Sequence, residues 1–248
     1  DAERDVMGKI KGIEEVERAS AAASGPALAW LLEHAGDVAA GLEPLSHAVS
    51  ASRGNEALVE HLLGADVAAL LVADADAARR VSAALGESGQ TGTVSLVMRK
   101  DVCEGAVAGA AQRAADEGRL PHGCAPLAGQ LSFSSADSRA VVALLGDVAV
   151  CETLEEALAA HAHDAFGLRF ATPEGAVVWP SGKVTLGAAA SVDEEGALVR
   201  ARRLEEARAH HAQACAACEE AACAAAAAEE TLRAAQAESM TASQQSAQ

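Results

Sequence analysis

Apolar and polar positions follow the same order in two stretches of the chain. Residues 44–64 read PLSHAVSASRGNEALVEHLLG and residues 126–146 read PLAGQLSFSSADSRAVVALLG, with eight identities over 21 ungapped positions. In each copy a short strand (HAVSA or GQLSF) precedes a helix that ends at Leu-Leu-Gly, where glycine is a natural helix stop. A short β-branched run and a second helix follow in each copy. The repeat predicts an α/β (α+β) module built from two related subdomains.

Further strands are predicted between and after the two copies. TGTVSLVM (91–98) has the composition of a strand, and residues 99–127 form a glycine-bearing connector with a helix near 106–117. After the second copy, LRFAT, AVVW and KVTL predict three strands, with turns at Pro-Glu-Gly and Pro-Ser-Gly.

Both ends of the chain have helical patterns. Residues 1–35 carry apolar residues at helical spacing with a break near Ser24-Gly25-Pro26, and residues 198–238 contain neither Pro nor Gly. Taking Leu204 as position a of a heptad, the a and d positions that follow are mostly small or apolar: Ala207, His211, Ala214, Cys218, Ala221, Ala225, Ala228, Leu232 and Ala235. We expect two helical arms that pair as an antiparallel coiled coil.

The predicted organisation has four parts. These are an N-terminal coiled-coil arm segment (1–40), a first subdomain with the connector (41–125), a second subdomain (126–197), and a C-terminal coiled-coil arm segment with a polar tail (198–248). Because the chain begins with Asp1 rather than Met, we expect it to be part of a longer protein.

The composition narrows the classes of function. Half of the 248 residues are hydrophobic but only 2% are aromatic, and 36 acidic against 19 basic residues give a formal net charge of −17. A broad nucleic-acid-binding surface is normally basic and a base-stacking platform needs aromatic residues, so only a local nucleic-acid contact is compatible with this composition. The apolar runs are too short to span a bilayer, and no signal peptide opens the chain. We expect a cytoplasmic protein with reduced cysteines and no membrane partner.

The segment SGKVTLG (181–187) is a candidate phosphate-binding loop. Such a loop needs GxxxxGK followed directly by Ser or Thr, between a strand and a helix. Here Val184 separates Lys183 from Thr185, no glycine lies five residues before Gly182, and the residues that follow have a strand pattern. A β-hairpin with glycine in a tight turn explains the segment better.

The candidate metal site lies in the C-terminal helical pattern. His211, Cys215 and Cys218 share one helical face and are residue types that bind zinc. A continuous helix lacks the loop with which a CxxC pair wraps around a metal, and Cys218 fits the heptad seam as a small apolar residue. We therefore expect no catalytic residue, no cofactor and no bound metal. Should a metal bind, His211, Cys215 and Cys218 are the candidate ligands.

The run Arg-Ala-Arg-Arg at 200–203 is a concentrated basic patch in an acidic chain. Two interpretations of Arg200, Arg202 and Arg203 stay open at this point. One is a solvated helix face, and the other is a local contact with a phosphate backbone.

The duplicated module between helical arms resembles the hinge domain of SMC proteins, the chromosome-condensation ATPases. The residues that carry the resemblance are PLSHAV and LVEHLLGADVAALLVADADAARR in the first half, PLAGQLSF and VVALLGDVAVCETLEEALA in the second, and TPEGAVVWPSGKVTLGA in the closing strand pair. The resemblance covers residues 41–197 and both arms. The high alanine content is typical of a bacterial, homodimeric member from a GC-rich genome.

The resemblance implies a non-enzymatic dimerisation function in chromosome condensation and segregation. In the family, two hinges join through strands near conserved glycines and make a ring with two interfaces. Carried onto this chain, the interface comprises Gly182, Lys183, Val184, Thr185, Leu186, Gly187 and Ala188. Ala188 stands where the family usually has a glycine. Glycine matters at such a place because it lets two backbones approach closely.

The resemblance also implies partners. These are a second copy of the chain and, at the junction with the coil, DNA held by Arg200, Arg202, Arg203 and Lys183. The resemblance further implies a nucleoid-associated parent protein. Its ATP-binding heads and its kleisin partner would be connected to the hinge only through other parts of that parent. The alternative interpretation is a stand-alone α/β small-molecule-binding domain or enzyme with a helical tail, which needs a polar cluster at the carboxyl ends of its strands.

Overall fold

The computed structural model describes residues 2–52, 55–100, 102, 109–186 and 196–246 as a mixture of helices and short strands. The helices are α1 (Ala2–Ser24), α2 (Pro26–Glu33), α3 (Ala35–Val38), α4 (Leu45–Ala48), α5 (Glu56–Leu63), α6 (Ala75–Ser88), α7 (Ala110–Asp116), α8 (Ser138–Leu145), α9 (Leu154–Ala162) and α10 (Ala197–Ser246). The strands are β1 (Glu43–Pro44), β2 (Val49–Ala51), β3 (Leu70–Val72), β4 (Leu96–Met98), β5 (Ala125–Pro126), β6 (Leu131–Phe133), β7 (Val148–Val150), β8 (Arg169–Ala171), β9 (Val177–Val178) and β10 (Val184–Thr185).

The first subdomain is built on the sheet β1-β3-β4. β1 lies antiparallel to β3, whereas β3 and β4 are parallel and are connected through α6. The Asp74 carboxylate accepts a hydrogen bond from the Ala77 N–H at the start of α6, and Gly89 in the left-handed conformation follows its end. All three residues of β3 are buried, as expected for an apolar strand covered on both faces.

The second subdomain repeats this arrangement and extends it. β5 lies antiparallel and β8 parallel to β7, as β1 and β4 do to β3. α9 corresponds to α6 and begins with a capping box formed by Thr153 and Glu156. β9 and β10 then add to the edge of β8, which gives the order β10-β9-β8-β7-β5. The predicted module of two related subdomains is therefore confirmed.

The two halves join through a pair of equivalent strands. β2 and β6 are antiparallel, with Val49 opposite Phe133, Ser50 opposite Ser132 and Ala51 opposite Leu131. Ser50 and Ser132 occupy the same position in the two sequence repeats. The equivalent strands therefore pair around a local two-fold axis that passes between these two serines.

The main apolar core lies between the halves. It contains buried residues from both α5 and α8, from β3 and β7, and from the segments before them: Leu45, Leu58, Val59, Leu71, Leu127, Ala140, Val141, Leu145 and Val148. Because neither repeat covers this cluster by itself, the halves depend on each other for burial of their apolar surface.

Polar contacts also join the halves. Arg99 follows β4 in the chain. Its guanidinium donates to the carboxylates of Glu43 in the first half and Asp137 in the second. The Asp137 side chain is only 8% exposed. The Asn55 amide donates to the Gln130 side-chain oxygen at 2.7 Å. Since a buried carboxylate is costly without a partner, Arg99 holds Asp137 in place.

The N-terminal helical region breaks where the sequence predicts it. α1 ends at Ser24, and α2 begins at Pro26, a residue suited to the first turn of a helix. Leu28 and Leu31 of α2 are buried in a second apolar cluster together with Val81 of α6. Within the predicted N-terminal arm segment (1–40), α2 thus contributes to the core of the first subdomain.

Residues up to Glu14 and from Leu204 onward form a compact unit of their own, distinct from residues 15–203. In this unit the Arg208 guanidinium donates to the Glu14 carboxylate at 2.7 Å, and Ile10 and Leu204 are buried. Further along α10, the side chains of residues 216–237 are exposed. The long C-terminal helix agrees with the predicted coiled-coil arm.

Candidate dimer interface

The SGKVTLG segment folds as part of a β-hairpin. β9 and β10 pair antiparallel, and the Trp179 N–H donates to the Lys183 carbonyl at 2.8 Å. The Gly182 N–H donates to the Trp179 carbonyl at 2.9 Å, and Gly182 has φ +80°, which favours glycine. A strand follows Lys183 where a phosphate loop would need a helix, so the hairpin prediction is confirmed.

β10 is the end strand of its sheet and carries exposed apolar side chains. Val184 is 40% exposed, and Leu186, just after the strand, is 68% exposed. Within the described part of the chain, no strand pairs with the outer side of β10. An open strand edge with apolar side chains is typical of a surface that pairs with another chain.

Trp179 organises the side chains of the hairpin. Its indole N–H donates to the Thr185 hydroxyl at 3.1 Å. The Arg169 guanidinium carbon and the Lys183 ammonium lie 5.5 and 5.2 Å from its ring centroid, within the range of cation–π attraction. Lys183 and Thr185 therefore contact Trp179 within the hairpin, whereas the apolar side chains of Val184 and Leu186 are exposed.

An open groove of about 740 Å³ lies beside the hairpin. It is lined by residues from the start of α9, from the turn between β8 and β9, and from the end of the hairpin: Glu152, Thr153, Leu154, Thr172, Glu174, Ala176 and Leu186. Among the described residues, these groups include two carboxylates and two hydroxyls.

Two predicted interface residues, Gly187 and Ala188, lie outside the described residues. Gly182, Lys183, Val184, Thr185 and Leu186 lie together in the hairpin. Sequence reasoning missed Trp179, although a tryptophan just before a Pro-Ser-Gly turn is a visible signal.

The basic run at the start of α10 is tied to α5. The Arg202 guanidinium donates to the Glu56 carboxylate at 3.1 Å, and the two side chains are 23% and 9% exposed. Arg200 and Arg203 also have interaction partners. Arg202 is therefore part of the attachment of α10, and its charge is balanced by a nearly buried carboxylate.

A second carboxylate on α5 caps the same helix. The Leu198 N–H donates to the Glu60 carboxylate at 2.6 Å, which satisfies an N–H group in the first turn of α10. Gly196 lies so close to this carboxylate that a Cβ at position 196 would collide with it. Glu56 and Glu60 were not predicted from the sequence, because acids on a helix usually indicate a solvated face.

The metal candidate is only partly assembled. The Cys215 sulfur lies 3.8 Å from both ring nitrogens of His211, whereas Cys218 is exposed. Among the described residues, no group of three histidine, cysteine or carboxylate side chains is placed to hold a metal ion. Nor does any helix in the described ranges have the length and apolar character needed to cross a membrane.

Comparison with known proteins gives a family and a fold. The family model described as the flexible hinge domain of SMC proteins matches residues 39–161. A search of curated proteins gives no significant match.

Three solved structures illustrate the likeness. The chain is similar to an asymmetric dimer of the Geobacillus stearothermophilus SMC hinge domain, with 21% identity, a TM-score of 0.66, and coverage of 86% of this chain and 83% of that chain. It is also similar to the Pyrococcus furiosus SMC hinge domain (17% identity, TM-score 0.51, 75% and 91% covered). A Pyrococcus furiosus hinge with an extended coiled coil gives 17% identity, a TM-score of 0.52, and coverage of 86% and 76%. The family match identifies an SMC hinge domain in this chain, and the solved structures share its fold.

Proposed function

We propose that this hinge domain joins two copies of the chain and that the end strand β10 carries much of the contact. The observation behind the proposal is an open strand edge flanked by Val184 and Leu186, which are 40% and 68% exposed. The N–H and C=O groups of such an edge readily accept a further strand, and a second copy of the chain supplies one.

A second copy also offers a complementary edge. β4 is an end strand of the first sheet, as β10 is of the second. In a two-fold dimer, a contact between β10 of one copy and β4 of the other occurs twice. Two equal contacts would close the pair into a ring and cover both strand edges.

The proposed interface runs from Gly182 to Leu186 and continues into Gly187 and Ala188. Val184 and Leu186 supply the apolar contact, while Gly182 provides the turn that brings β10 back along β9. Ala188 in place of the family's usual glycine adds a methyl group where two backbones are expected to approach. We expect the dimer to form with Ala188, since a methyl group is the smallest side chain that can be added.

Sedimentation or light scattering of purified Leu186→Glu tests the interface. Burying an unpaired carboxylate is costly, so we expect the dimer to dissociate at least about tenfold more readily than the parent. Leu158→Glu is the matched control, because Leu158 is 43% exposed on α9 and lies outside the proposed strand edge. It should leave the dimer and the helix content unchanged. A parent that is monomeric at micromolar concentration would contradict dimerisation, and a dimeric Leu186→Glu would move the interface elsewhere.

We also propose a weak, salt-sensitive DNA contact involving Arg200, Arg202, Arg203 and Lys183. Because the side chains of Arg203 and Lys183 are exposed whereas that of Arg202 is only 23% exposed, Arg203 and Lys183 are expected to contribute most. In a gel shift at low salt, Arg203→Glu and Lys183→Glu should each weaken binding several-fold. Arg233→Glu, at a side chain 76% exposed further along α10, serves as the control. Equal binding by all variants would remove this surface from DNA contact.

The wider role is proposed for the parent protein. There the hinge would connect arms that lead to ATP-binding heads and a kleisin in a nucleoid-associated, cytoplasmic complex that condenses and segregates chromosomes. Identification of the proteins that co-purify with the full-length parent tests this assignment. We propose no enzymatic role for the hinge itself.

A further inference from the structure

Cys124 and Cys151 lie opposite each other at one end of the second sheet. β5 and β7 pair antiparallel, with Ala125 opposite Val150. Continuing this register by one residue places Cys124 opposite Cys151. Residues directly opposite in antiparallel strands point to the same face, with Cα atoms about 4.5–5.5 Å apart. A disulfide requires a Cα separation of about 4.4–6.8 Å, so the backbone register already suits the bond.

The two thiols also share one environment. Cys151 is 1% exposed in an apolar cluster, and the partly buried Cys124 packs against the same cluster. Both cysteines are free thiols in the structure. In the first half, continuing the corresponding register of β1 and β3 places Leu42 opposite Val72, two residues of a second apolar cluster. Two apolar side chains are therefore sufficient to fill this position in the fold. A pair of thiols fills it as well and can also be oxidised.

The surroundings make the two thiols unequal. Burial raises the pKa of Cys124, the hydrogen bond with Cys151 lowers it, and the Glu156 carboxylate raises it. Burial likewise raises the pKa of Cys151 strongly, and there the hydrogen bond, Cys124 itself and Glu156 all act in the same direction. Cys124 is only partly buried whereas Cys151 is 1% exposed, so Cys124 is the more accessible sulfur, as the attacking thiol of an exchange reaction must be.

We propose that Cys124 and Cys151 form a dithiol modification site, which a small disulfide such as glutathione disulfide oxidises to an intramolecular disulfide. The Cys124 thiolate attacks one glutathione sulfur, the glutathione S–S bond breaks, and one glutathione thiolate leaves. The Cys151 sulfur then attacks the Cys124 sulfur of the mixed disulfide and expels the second glutathione. The two protein thiols are oxidised, glutathione disulfide is reduced to two glutathione molecules, and the two protons from the cysteines end on those thiols.

The bond would fasten the end of the connector to the second subdomain. Cys124 immediately precedes β5, where the connector enters the sheet, and Cys151 immediately follows β7. Glu152, the next residue, lines the groove beside the hairpin. Cys151 is thus one residue away from a groove that Leu186 also lines, although the proposal does not depend on dimerisation.

The experiment uses the full chain with its other four cysteines, Cys103, Cys215, Cys218 and Cys223, changed to serine. The protein is incubated with glutathione disulfide at mildly alkaline pH and analysed by intact mass and peptide mapping. We expect the loss of two hydrogen atoms and a linked peptide pair containing Cys124 and Cys151. We also expect the midpoint of thermal unfolding to rise by about 5–10 °C, because the bond restricts the unfolded chain.

Two variants in the same background separate the proposed chemistry from general thiol reactivity. Cys151→Ser and Cys151→Val should each stop at a mixed disulfide between Cys124 and glutathione, with no rise in thermal midpoint. Valine is included because it matches Val72 of the first half and keeps the site apolar. The proposal is overturned if the folded two-cysteine protein keeps both thiols free, or if it accumulates only mixed disulfides. Light scattering of the same samples reports dimerisation separately.

Discussion

The two halves of the globular unit use equivalent helices to hold different parts of the chain. In the first half, the Glu60 carboxylate on α5 accepts the Leu198 N–H at the start of α10. In the second half the equivalent position on α8 is Val142, and the backbone of Gly109 in the connector packs beside its side chain. One helix therefore anchors the C-terminal helix through charge, and the other anchors the connector through apolar contact.

The neighbouring positions show the same divergence. Glu56 on α5 binds Arg202, whereas Ser138 occupies the equivalent position on α8. At the end of α8, the Gly146 carbonyl accepts the Ala111 N–H, which holds the start of α7. The repeat thus places two helices, α5 and α8, in equivalent positions. A few side chains on each helix determine which segment of the chain packs against it.

The largest effect is expected from substitutions that disturb the packing between α5 and α8. Leu58 on α5 corresponds to Ala140 on α8, and both are fully buried in the shared cluster. Leu58→Ala should lower the free energy of unfolding by about 2–5 kcal/mol through the cavity it leaves. Ala140→Leu should lower it by about 1–3 kcal/mol through overpacking. Urea unfolding of each variant measures these changes.

The double variant Leu58→Ala/Ala140→Leu sharpens the comparison. If the two helices share one space around the local two-fold axis, the new leucine fills part of the cavity left by the old one. The double variant should then be more stable than the sum of the two single changes. Strict additivity would show that the two positions are packed independently.

A smaller effect is predicted at the charged anchor. Gly196→Ala places a Cβ against the Glu60 carboxylate, the movable end of a flexible side chain, and should cost up to about 1 kcal/mol of unfolding free energy by displacing the cap from Leu198. In a Glu60→Ala background the collision disappears, so the same change should cost much less, although loss of the cap lowers the starting stability by about 1 kcal/mol. Urea unfolding of the four proteins gives the coupling between the two positions.

Gly86→Ala is the matched control for this cycle. Gly86 lies within α6 with nothing near its missing side chain. There alanine should stabilise the protein by about 0.5–1 kcal/mol, because it favours the helix more than glycine does. A destabilisation by Gly196→Ala that persists without Glu60 would argue against the anchor.

Local sequence signals predicted much of the fold. The repeated Leu-Leu-Gly helix ends, the strands β2 and β6, and the hairpin after Pro-Ser-Gly all depend on residues close together in the chain. The predicted strand 91–98 is shorter in the structure, where β4 covers Leu96–Met98, because its partner β3 offers a ladder of only three residues. The connector helix α7 covers Ala110–Asp116, which agrees with the C-terminal part of the helix predicted near 106–117.

The features that sequence reasoning missed depend on distant residues. Glu56 and Arg202 meet only after α5 and α10 have packed, and nothing near either residue indicates the other. The proximity of Cys124 and Cys151 follows from the register of β5 and β7, which no residue close to either cysteine in sequence indicates. At the candidate interface, the hairpin and its glycine were visible in sequence, whereas the exposure of Val184 and Leu186 required the sheet order.

The pairing of Ser50 with Ser132 has a consequence for how the protein folds. Its two strands come from opposite repeats, so the ladder between them forms only after a long stretch of chain has been closed into a loop. In an isolated repeat, the apolar residues that it contributes to the shared cluster would lose their partners from the other repeat and face water. Folding should therefore be slow for a protein of this size, with a barrier set by this non-local step. We therefore expect that neither repeat folds alone and that the globular part gains and loses its structure in one cooperative transition.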